Sequence, residues 1–169
     1  MAKVSLLSDV STYSYDRFND ERGQLFTVWK QSDLSKISFN HDKVAISSKN
    51  VLRGLHTDKA WKLITCLHGK IQLVVANYKQ DSPEYLNHMS IILDSDSECK
   101  TSILVPPGYL NGHLVLSEQA VFFYKWSYEG SYPDVKDQTS VNWCDPKIGI
   151  KWLVDKPVLS DRDQKTPLL

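Results

Sequence analysis

Apolar residues alternate with other residues at period two along most of this chain, and this pattern favours β-strands over helices. The runs that show it are 44–48, 62–67, 71–78, 89–94, 102–106, 113–117 and 120–127. Short polar segments separate them, and many short strands with tight connections are typical of a β-sandwich or a small barrel. The sequence therefore predicts a single all-β domain over residues 1–169, with helical turns expected only near residues 31–37 and after Asp145.

One connection between these strands carries a hairpin signal. Residues 68–70, which read HGK, separate the run 62–67 from the run 71–78. Gly69 can adopt a positive φ without steric cost, as a tight turn between paired strands requires. The sequence therefore predicts that these two strands form an antiparallel hairpin.

The charge balance excludes partners that are recognised by bulk charge. The chain has 20 Lys and Arg residues and 20 Asp and Glu residues, so neither a nucleic acid nor a membrane is expected as a partner. Its apolar runs are too short to cross a bilayer and its N-terminal segment does not resemble a signal peptide, so a cytoplasmic location is expected. The three cysteines include no CxxC pair, which argues against a disulfide framework or a zinc knuckle.

The segment NVLRGLHTDKAWKL, residues 50–63, places three groups that bind anions or move protons within ten positions. These groups are Arg53, His56 and Lys62, and their apolar surroundings suggest a pocket. Period two sets Arg53 and His56 on opposite faces of one strand, unless Gly54 forms a β-bulge. The sequence leaves this conflict open.

The five histidines do not have the spacing of a metal site. No HxH or HExxH motif occurs, and no two histidines are closer than twelve residues, so no metal is expected. His113 begins a strand after the segment PPGYLNG. It is either a pocket residue or a structural histidine whose hydrogen bonds are satisfied, and the sequence leaves both readings open.

Several motifs occur in an order that matches a known family. They are DERG, NVLRGLH, WKL, VPPGYLNGHLVLSE, FFYK, VNWCDPKIGIKW and LSDRDQKTPLL. With them the chain resembles the dTDP-4-dehydrorhamnose 3,5-epimerase family from about residue 17 to its C-terminus. The resemblance implies a cupin (jelly-roll) barrel with short flanking helices, without metal or cofactor. It also implies a homodimer in which the subunits exchange N-terminal strands.

The resemblance further implies four catalytic residues. His56 matches the general base of the family, and Asp163 matches the carboxylate that orients this base. Lys62 matches the lysine beside the C4 carbonyl oxygen of the substrate, and Tyr124 matches the tyrosine that protonates the opposite face. These roles lead us to expect Nε2 of His56 to face the cavity, within reach of a ring carbon.

The substrate contacts implied by the resemblance are less complete. Arg53 matches an arginine that contacts the nucleotide diphosphate, as does Arg22, which reaches across from the partner subunit. Asn111 stands where the family usually has a second histidine, and His113, two residues further on the same strand face, is a candidate to replace it. The family's base-stacking tyrosine matches either Tyr128 or Tyr132.

The function implied is inversion of C3, C5 or both in a nucleotide-linked 4-keto sugar, in the synthesis of a surface polysaccharide such as a capsule. The expected substrate is a dTDP-4-keto-6-deoxyhexose or a GDP-4-keto-heptose. Two alternatives remain open. One is a 3,4-ketoisomerase on the same scaffold, and the other is a binding protein that holds a nucleotide sugar without turnover.

Overall fold

Two antiparallel β-sheets form the body of the protein, in a computed structural model that describes residues 7–128 and 138–169. The strands are β1 Ser11–Asp20, β2 Gly23–Phe26, β3 His41–Ser48, β4 Leu52–Thr57, β5 Trp61–His68, β6 Lys70–Asn77, β7 His88–Asp94, β8 Cys99–Val105, β9 Tyr109–Val115, β10 Gln119–Ser127 and β11 Thr139–Ser140. One short helix, α1 Asp161–Lys165, follows them. The expected all-β class is confirmed.

The strand order divides the chain between a larger and a smaller sheet. The larger has the order β2-β1-β8-β5-β10-β3, and the smaller has the order β11-β4-β9-β6-β7. The main apolar core contains residues of both sheets, such as Ile64 and Ile103 from the larger and Leu73 and Val115 from the smaller. All four side chains are buried, and removing this apolar surface from water is the main force that holds the sheets together.

The predicted hairpin between β5 and β6 is wrong. These strands lie in different sheets, where β5 pairs with β8 and β10 while β6 pairs with β7 and β9. Gly69 does adopt a positive φ of 77°, and a Cβ at this position would lie 2.2 Å from the carbonyl oxygen of Gln119. The turn at Gly69 thus carries the chain from one sheet into the other. The sequence pattern had predicted a turn between neighbouring strands of one sheet.

The period-two runs leave out the four strands β1, β2, β4 and β11 and the helix α1, although Arg53 and His56 of β4 were expected on one strand. Helix α1 is too short to show a 3.6-residue period, but Ser160 caps its start by accepting a hydrogen bond from the backbone N–H of Asp163 at 3.2 Å. Turns form at both predicted places, since Ile37 N–H donates to Leu34 and Ile148 N–H donates to Asp145.

Within residues 7–128 and 138–169, no helix is long and apolar enough to span a bilayer.

Candidate active site

A cavity of about 270 Å³ is lined by side chains from both sheets and from the start of α1. Seven residues singled out in the sequence line it, namely Arg53, His56, Lys62, Asn111, His113, Tyr124 and Asp163. His56 lies on β4 of the smaller sheet, whereas Tyr124 lies on β10 of the larger sheet. A ligand in this cavity would therefore have the imidazole and the phenol on walls formed by different sheets.

A β-bulge at Gly54 brings Arg53 and His56 to the same cavity. In the pairing of β4 with β9, Arg53 lies opposite His113 and His56 lies opposite Asn111, so β4 has one extra residue between the two pairs. Gly54 has a φ of 135°, and a Cβ there would lie only 2.6 Å from the Cα of Gly112. Only glycine fits this close approach, and the bulge resolves the conflict that strict alternation posed.

His56 forms an ion pair with Asp163, whose side chain is almost fully buried. Nε2 of His56 lies 3.1 Å from Oδ1 of Asp163, and the backbone N–H of Gly54 donates to Oδ2 at 3.4 Å. Burial alone would raise the pKa of the Asp163 carboxyl, but the contacts with His56, Gly54 and Ser160 outweigh it and lower this pKa. Asp163 is therefore a carboxylate at neutral pH, suited to hold and stabilise the imidazole.

The ring of His56 is not oriented as expected, because Nε2 was predicted to face the cavity and instead faces Asp163. Nε2 faces Asp163, while Nδ1 lies 3.1 Å from Oγ of Ser140. Asp163 lies in α1 and Ser140 in β11, so the ring is held between two late segments of the chain. Because the carboxylate takes Nε2, Nδ1 is the nitrogen that can accept a proton from a ligand.

Lys62 is buried between two oxygen atoms. Its Nζ lies 2.9 Å from Oδ1 of Asn111 and 3.0 Å from Oδ2 of Asp58, and it also lies 5.2 Å from the centre of the Trp126 ring. Burial lowers the pKa of the Lys62 amine, and the charge of Asp58 opposes this effect. An ammonium with a lowered pKa readily gives hydrogen-bond support, or a proton, to an oxyanion in the cavity.

Three aromatic residues at alternate positions of β10 form part of the cavity wall, because period two places them on one face of the strand. Phe122, Tyr124 and Trp126 all line the cavity, with ring centres 5.2 Å apart for the first pair and 5.6 Å for the second. This stripe of aromatic residues therefore belongs both to the core and to the site. Its two outer rings fix the position of the tyrosine between them.

His113 is a neutral, buried side chain at the cavity. Its ring stacks on Phe122 with centres 3.9 Å apart, and its Nε2 has no hydrogen-bond partner among the described residues. Burial, followed by the charges of Arg53 and His56, lowers the pKa of His113 to about 3. Of the two readings left open, the structure supports the pocket residue.

Two of the expected substrate contacts lie outside this cavity, and a third is not among the described residues. Arg22 is in the turn between β1 and β2, where its side chain is exposed and pairs with Asp20, and it does not line the cavity of its own chain. Tyr128 lies beyond the end of β10, where its backbone bonds the side chain of Asn40. Tyr132 falls outside the described residues.

The structure adds residues that the sequence reasoning missed. Ser140 reaches His56 only because β11 pairs with β4 with these two residues opposite each other, and no local pattern signals that pairing. Arg162 did have a signal, because it directly precedes Asp163 within the family motif LSDRDQKTPLL. Asp58 also had a signal, since it stands four residues before Lys62.

The described residues contain no group of three or more His, Cys, Asp or Glu side chains that could hold a metal ion. Cys66 is buried, as expected of a small apolar residue, and burial raises the pKa of its thiol to about 11. Cys99 and Cys144 are free and exposed. None of these cysteines is positioned as a nucleophile for the cavity.

Comparison with known proteins gives a consistent result. The family model for dTDP-4-dehydrorhamnose 3,5-epimerase matches residues 5–169. The enzyme of that name from Salmonella typhimurium is 33% identical over 162 residues, which cover 90% of this chain and 86% of the relative.

Solved structures agree with this match. The dTDP-4-dehydrorhamnose 3,5-epimerase of Bacillus anthracis, solved with TDP and pyrophosphate bound, is 30% identical, with a TM-score of 0.86 and 99% of each chain covered. The dTDP-6-deoxy-D-glucose-3,5-epimerase of Legionella pneumophila, in complex with dTDP-4-keto-L-rhamnose, is 25% identical, with a TM-score of 0.88 and coverage of 98% of this chain and 90% of that one. The expected cupin-like jelly roll is therefore confirmed. The chain belongs to the dTDP-4-dehydrorhamnose 3,5-epimerase family, whose members are isomerases.

Proposed function

We propose that the protein inverts C3, C5 or both in a nucleotide-linked 4-keto sugar, by removing a proton from one face of the ring and returning one to the other. The 4-keto group acidifies the C–H bonds at both neighbouring carbons. The observation that carries the proposal is the placement of His56 and Tyr124 on different sheets around one cavity, with Lys62 beside them.

His56 is the base in this proposal. It takes the carbon-bound proton on Nδ1, since Nε2 faces Asp163. The carboxylate stabilises the imidazolium that forms, and a positioned acid or base of this kind contributes about 10²–10⁴-fold to the rate. Arg53 lines the same cavity, and its guanidinium suits the diphosphate of the substrate through paired charge-assisted hydrogen bonds.

Lys62 and Tyr124 complete the reaction. Removal of the proton leaves an enolate whose negative charge rests on the C4 oxygen, and the ammonium of Lys62 stabilises that oxygen. Tyr124 then gives its phenolic proton to the carbon from the opposite face, which inverts the centre. The imidazolium and the phenolate that remain return to their starting states by proton exchange with solvent.

The nucleotide and the sugar are the finer part of the proposal. Two of the relatives were solved with TDP or a dTDP sugar, which favours a dTDP-4-keto-6-deoxyhexose. Asn111 and His113, however, form a polar wall that departs from the family motif, and it suits a sugar with an additional hydroxyl, such as a GDP-4-keto-heptose. Either product serves the synthesis of a surface polysaccharide such as a capsule.

We extend the proposal to a cytoplasmic homodimer of single-domain subunits, residues 1–169, that exchange N-terminal strands. Arg22 does not line its own chain's cavity, and the arm formed by β1 and β2 exposes the apolar side chains of Phe18 and Leu25. A partner subunit that covers this arm would bury both side chains and bring Arg22 to the diphosphate.

The test is isotope exchange. The protein is incubated in D₂O with a panel of dTDP-linked and GDP-linked 4-keto sugars, and NMR follows each ring carbon. Deuterium should enter C3, C5 or both with at least one sugar, and the carbonyl should stay at C4. Migration of the carbonyl to C3 would instead identify a ketoisomerase. Absence of exchange across the panel, with binding detected by a rise in Tm, would leave a binding protein and overturn the proposal.

A further inference from the structure

We infer that Ser140, anchored by Arg162, is a positioning residue that holds His56 in the tautomer with its proton on Nε2 and its basic lone pair on Nδ1. The inference rests on the proposed function of His56 as the base. It concerns two residues, Ser140 and Arg162, that act on the imidazole and not on the substrate.

The guanidinium of Arg162 fixes the position of Ser140. Its Nε and Nη2 both donate to Oγ of Ser140, at 2.9 and 2.6 Å, while its Nη1 donates to the side-chain oxygen of Gln138 at 3.1 Å. Gln138 and Ser140 are two residues apart, so one guanidinium bridges alternate positions of the same segment. The serine oxygen is therefore fixed in space by two charge-assisted bonds.

A serine hydroxyl has two lone pairs and one hydrogen. Arg162 uses both lone pairs, so the hydrogen is what remains for Nδ1 of His56, 3.1 Å away. A ring nitrogen that accepts a hydrogen bond carries no proton, and the proton of the neutral imidazole must then be on Nε2, beside Asp163. Helix α1 thus positions both ring nitrogens of His56. Asp163 contacts Nε2 directly, and Arg162 holds the Ser140 hydroxyl that contacts Nδ1.

This arrangement prepares the base before the substrate arrives. The serine hydroxyl occupies the Nδ1 lone pair in the resting protein, so Ser140 leaves this position when the sugar enters and the carbon-bound proton approaches along the same lone pair. The imidazole is held at two points of its plane in the resting protein. Loss of either point lets the ring rotate, and an error of about 1 Å at a reacting group can lower a rate by about 10²-fold.

The first test measures the resting protein and needs no turnover. In ¹⁵N-histidine-labelled protein near neutral pH, the His56 signal, assigned by its loss in His56→Asn, should show the Nε2–H tautomer with a hydrogen-bonded Nδ1. Ser140→Ala should move the Nδ1 resonance toward that of a nitrogen without a partner, and Ser140→Thr should leave it in place. A proton on Nδ1 in the wild type would overturn the inference even if epimerase activity is present.

The second test is kinetic. Ser140→Ala should lower kcat for deuterium exchange by about ten- to a hundredfold with KM nearly unchanged, and Ser140→Thr should restore most of it. Arg162→Met should lower kcat similarly, and the double variant should be no slower than Ser140→Ala alone, because both changes break one chain of contacts. Additive losses, or a Ser140→Ala variant as fast as wild type, would overturn the inference. An inactive wild type would instead count against the proposed function, and the NMR test would still decide this one.

Discussion

His56 and Asp163 are separated by more than a hundred positions in the sequence and lie 3.1 Å apart in the fold. Their residue types made a base and its orienting carboxylate plausible, but only the ordered family motifs could pair them. Ser140 had no such signal, because its contact with His56 depends on a two-stranded pairing that no local pattern announces. At the scale of single residues, the sequence could therefore predict the chemical groups of the site. It could not predict which ring nitrogen of His56 each neighbouring side chain would contact.

The first residue-scale prediction concerns the base. His56→Asn should reduce deuterium exchange by about 10²–10⁴-fold, because an amide cannot accept the carbon-bound proton. The affinity for the nucleotide, measured by calorimetry with the nucleoside diphosphate, should stay close to that of wild type. His68→Asn is the matched control, since His68 is exposed at the end of β5 and should change neither quantity. Exchange at the wild-type rate in His56→Asn would assign the base elsewhere.

The second residue-scale prediction concerns pH. The pKa of His113 is about 3 in the folded protein, against 6.5 for an ordinary histidine. Between these two values the unfolded chain is protonated at this position and the folded chain is not. The contribution of His113 to the free energy of unfolding is fully present above pH 6.5, and it is lost as the pH falls from 6.5 toward 3. Between pH 7 and pH 5 the loss amounts to about 2 kcal/mol.

His113→Gln should remove this dependence, because glutamine does not titrate. Urea unfolding at pH 7 and pH 5 should show a difference in the free energy of unfolding that is smaller by about 2 kcal/mol in the variant than in the wild type. His68→Gln, on the surface, should keep the wild-type difference. Equal differences in wild type and His113→Gln would show that folding does not lower the pKa of His113.

At the scale of elements, the period-two pattern located seven of the strands, but it could not assign them to sheets. Five of the eight residues of β5 and seven of the eight residues of β6 are buried, and these residues face both sides of each strand. Their side chains therefore do not distinguish a hairpin within one sheet from a crossing between sheets. The turn at Gly69 has the same positive φ in either case. In the structure Ser117, Gln119 and Ala120 pack against this turn, and such a contact between distant parts of the chain has no local sequence pattern.

The bulge in β4 yields the element-scale prediction. Gly54→Ala should destabilise the protein and largely abolish exchange, because the new Cβ would press on the backbone of Gly112 and shift His56 away from its partners. Gly23→Ala is the control, since Gly23 also has a positive φ but has open space around it. Thermal unfolding should show a clearly larger drop in Tm for Gly54→Ala, and equal drops would mean that backbone conformation, not the close approach, requires glycine here.

At the scale of the whole molecule, apolar surface remains on the larger sheet. Phe18 and Leu25 are 66% and 74% exposed on the β1–β2 arm, and Val44 and Ile46 are 57% and 61% exposed on the edge strand β3. Side chains of this size on sheet edges invite association, and a second copy of the chain is the partner that the proposed dimer supplies. The sequence carried this feature only through the family resemblance, because an exposed and a buried strand face have the same period.

The last prediction asks which subunit supplies Arg22. Subunits with Arg22→Ala and subunits with His56→Asn, carrying different affinity tags, are co-expressed and the heterodimer is purified. If Arg22 crosses to the partner, one of the two sites has both an intact His56 and an intact Arg22, and deuterium exchange should reach about half of the wild-type rate. Each homodimer should remain slow.

The matched control combines His56→Asn with Tyr124→Phe. These two residues line one cavity within one chain, so each site of that heterodimer carries one lesion and exchange should stay low. An Arg22→Ala/His56→Asn heterodimer as slow as this control would show that Arg22 serves its own chain. An Arg22→Ala homodimer as fast as wild type would show that Arg22 serves no site. A rate near half of wild type would make the complete active site a property of two chains, because the cavity of one subunit holds the proton-transfer groups while the arm of the other brings the cation for the diphosphate.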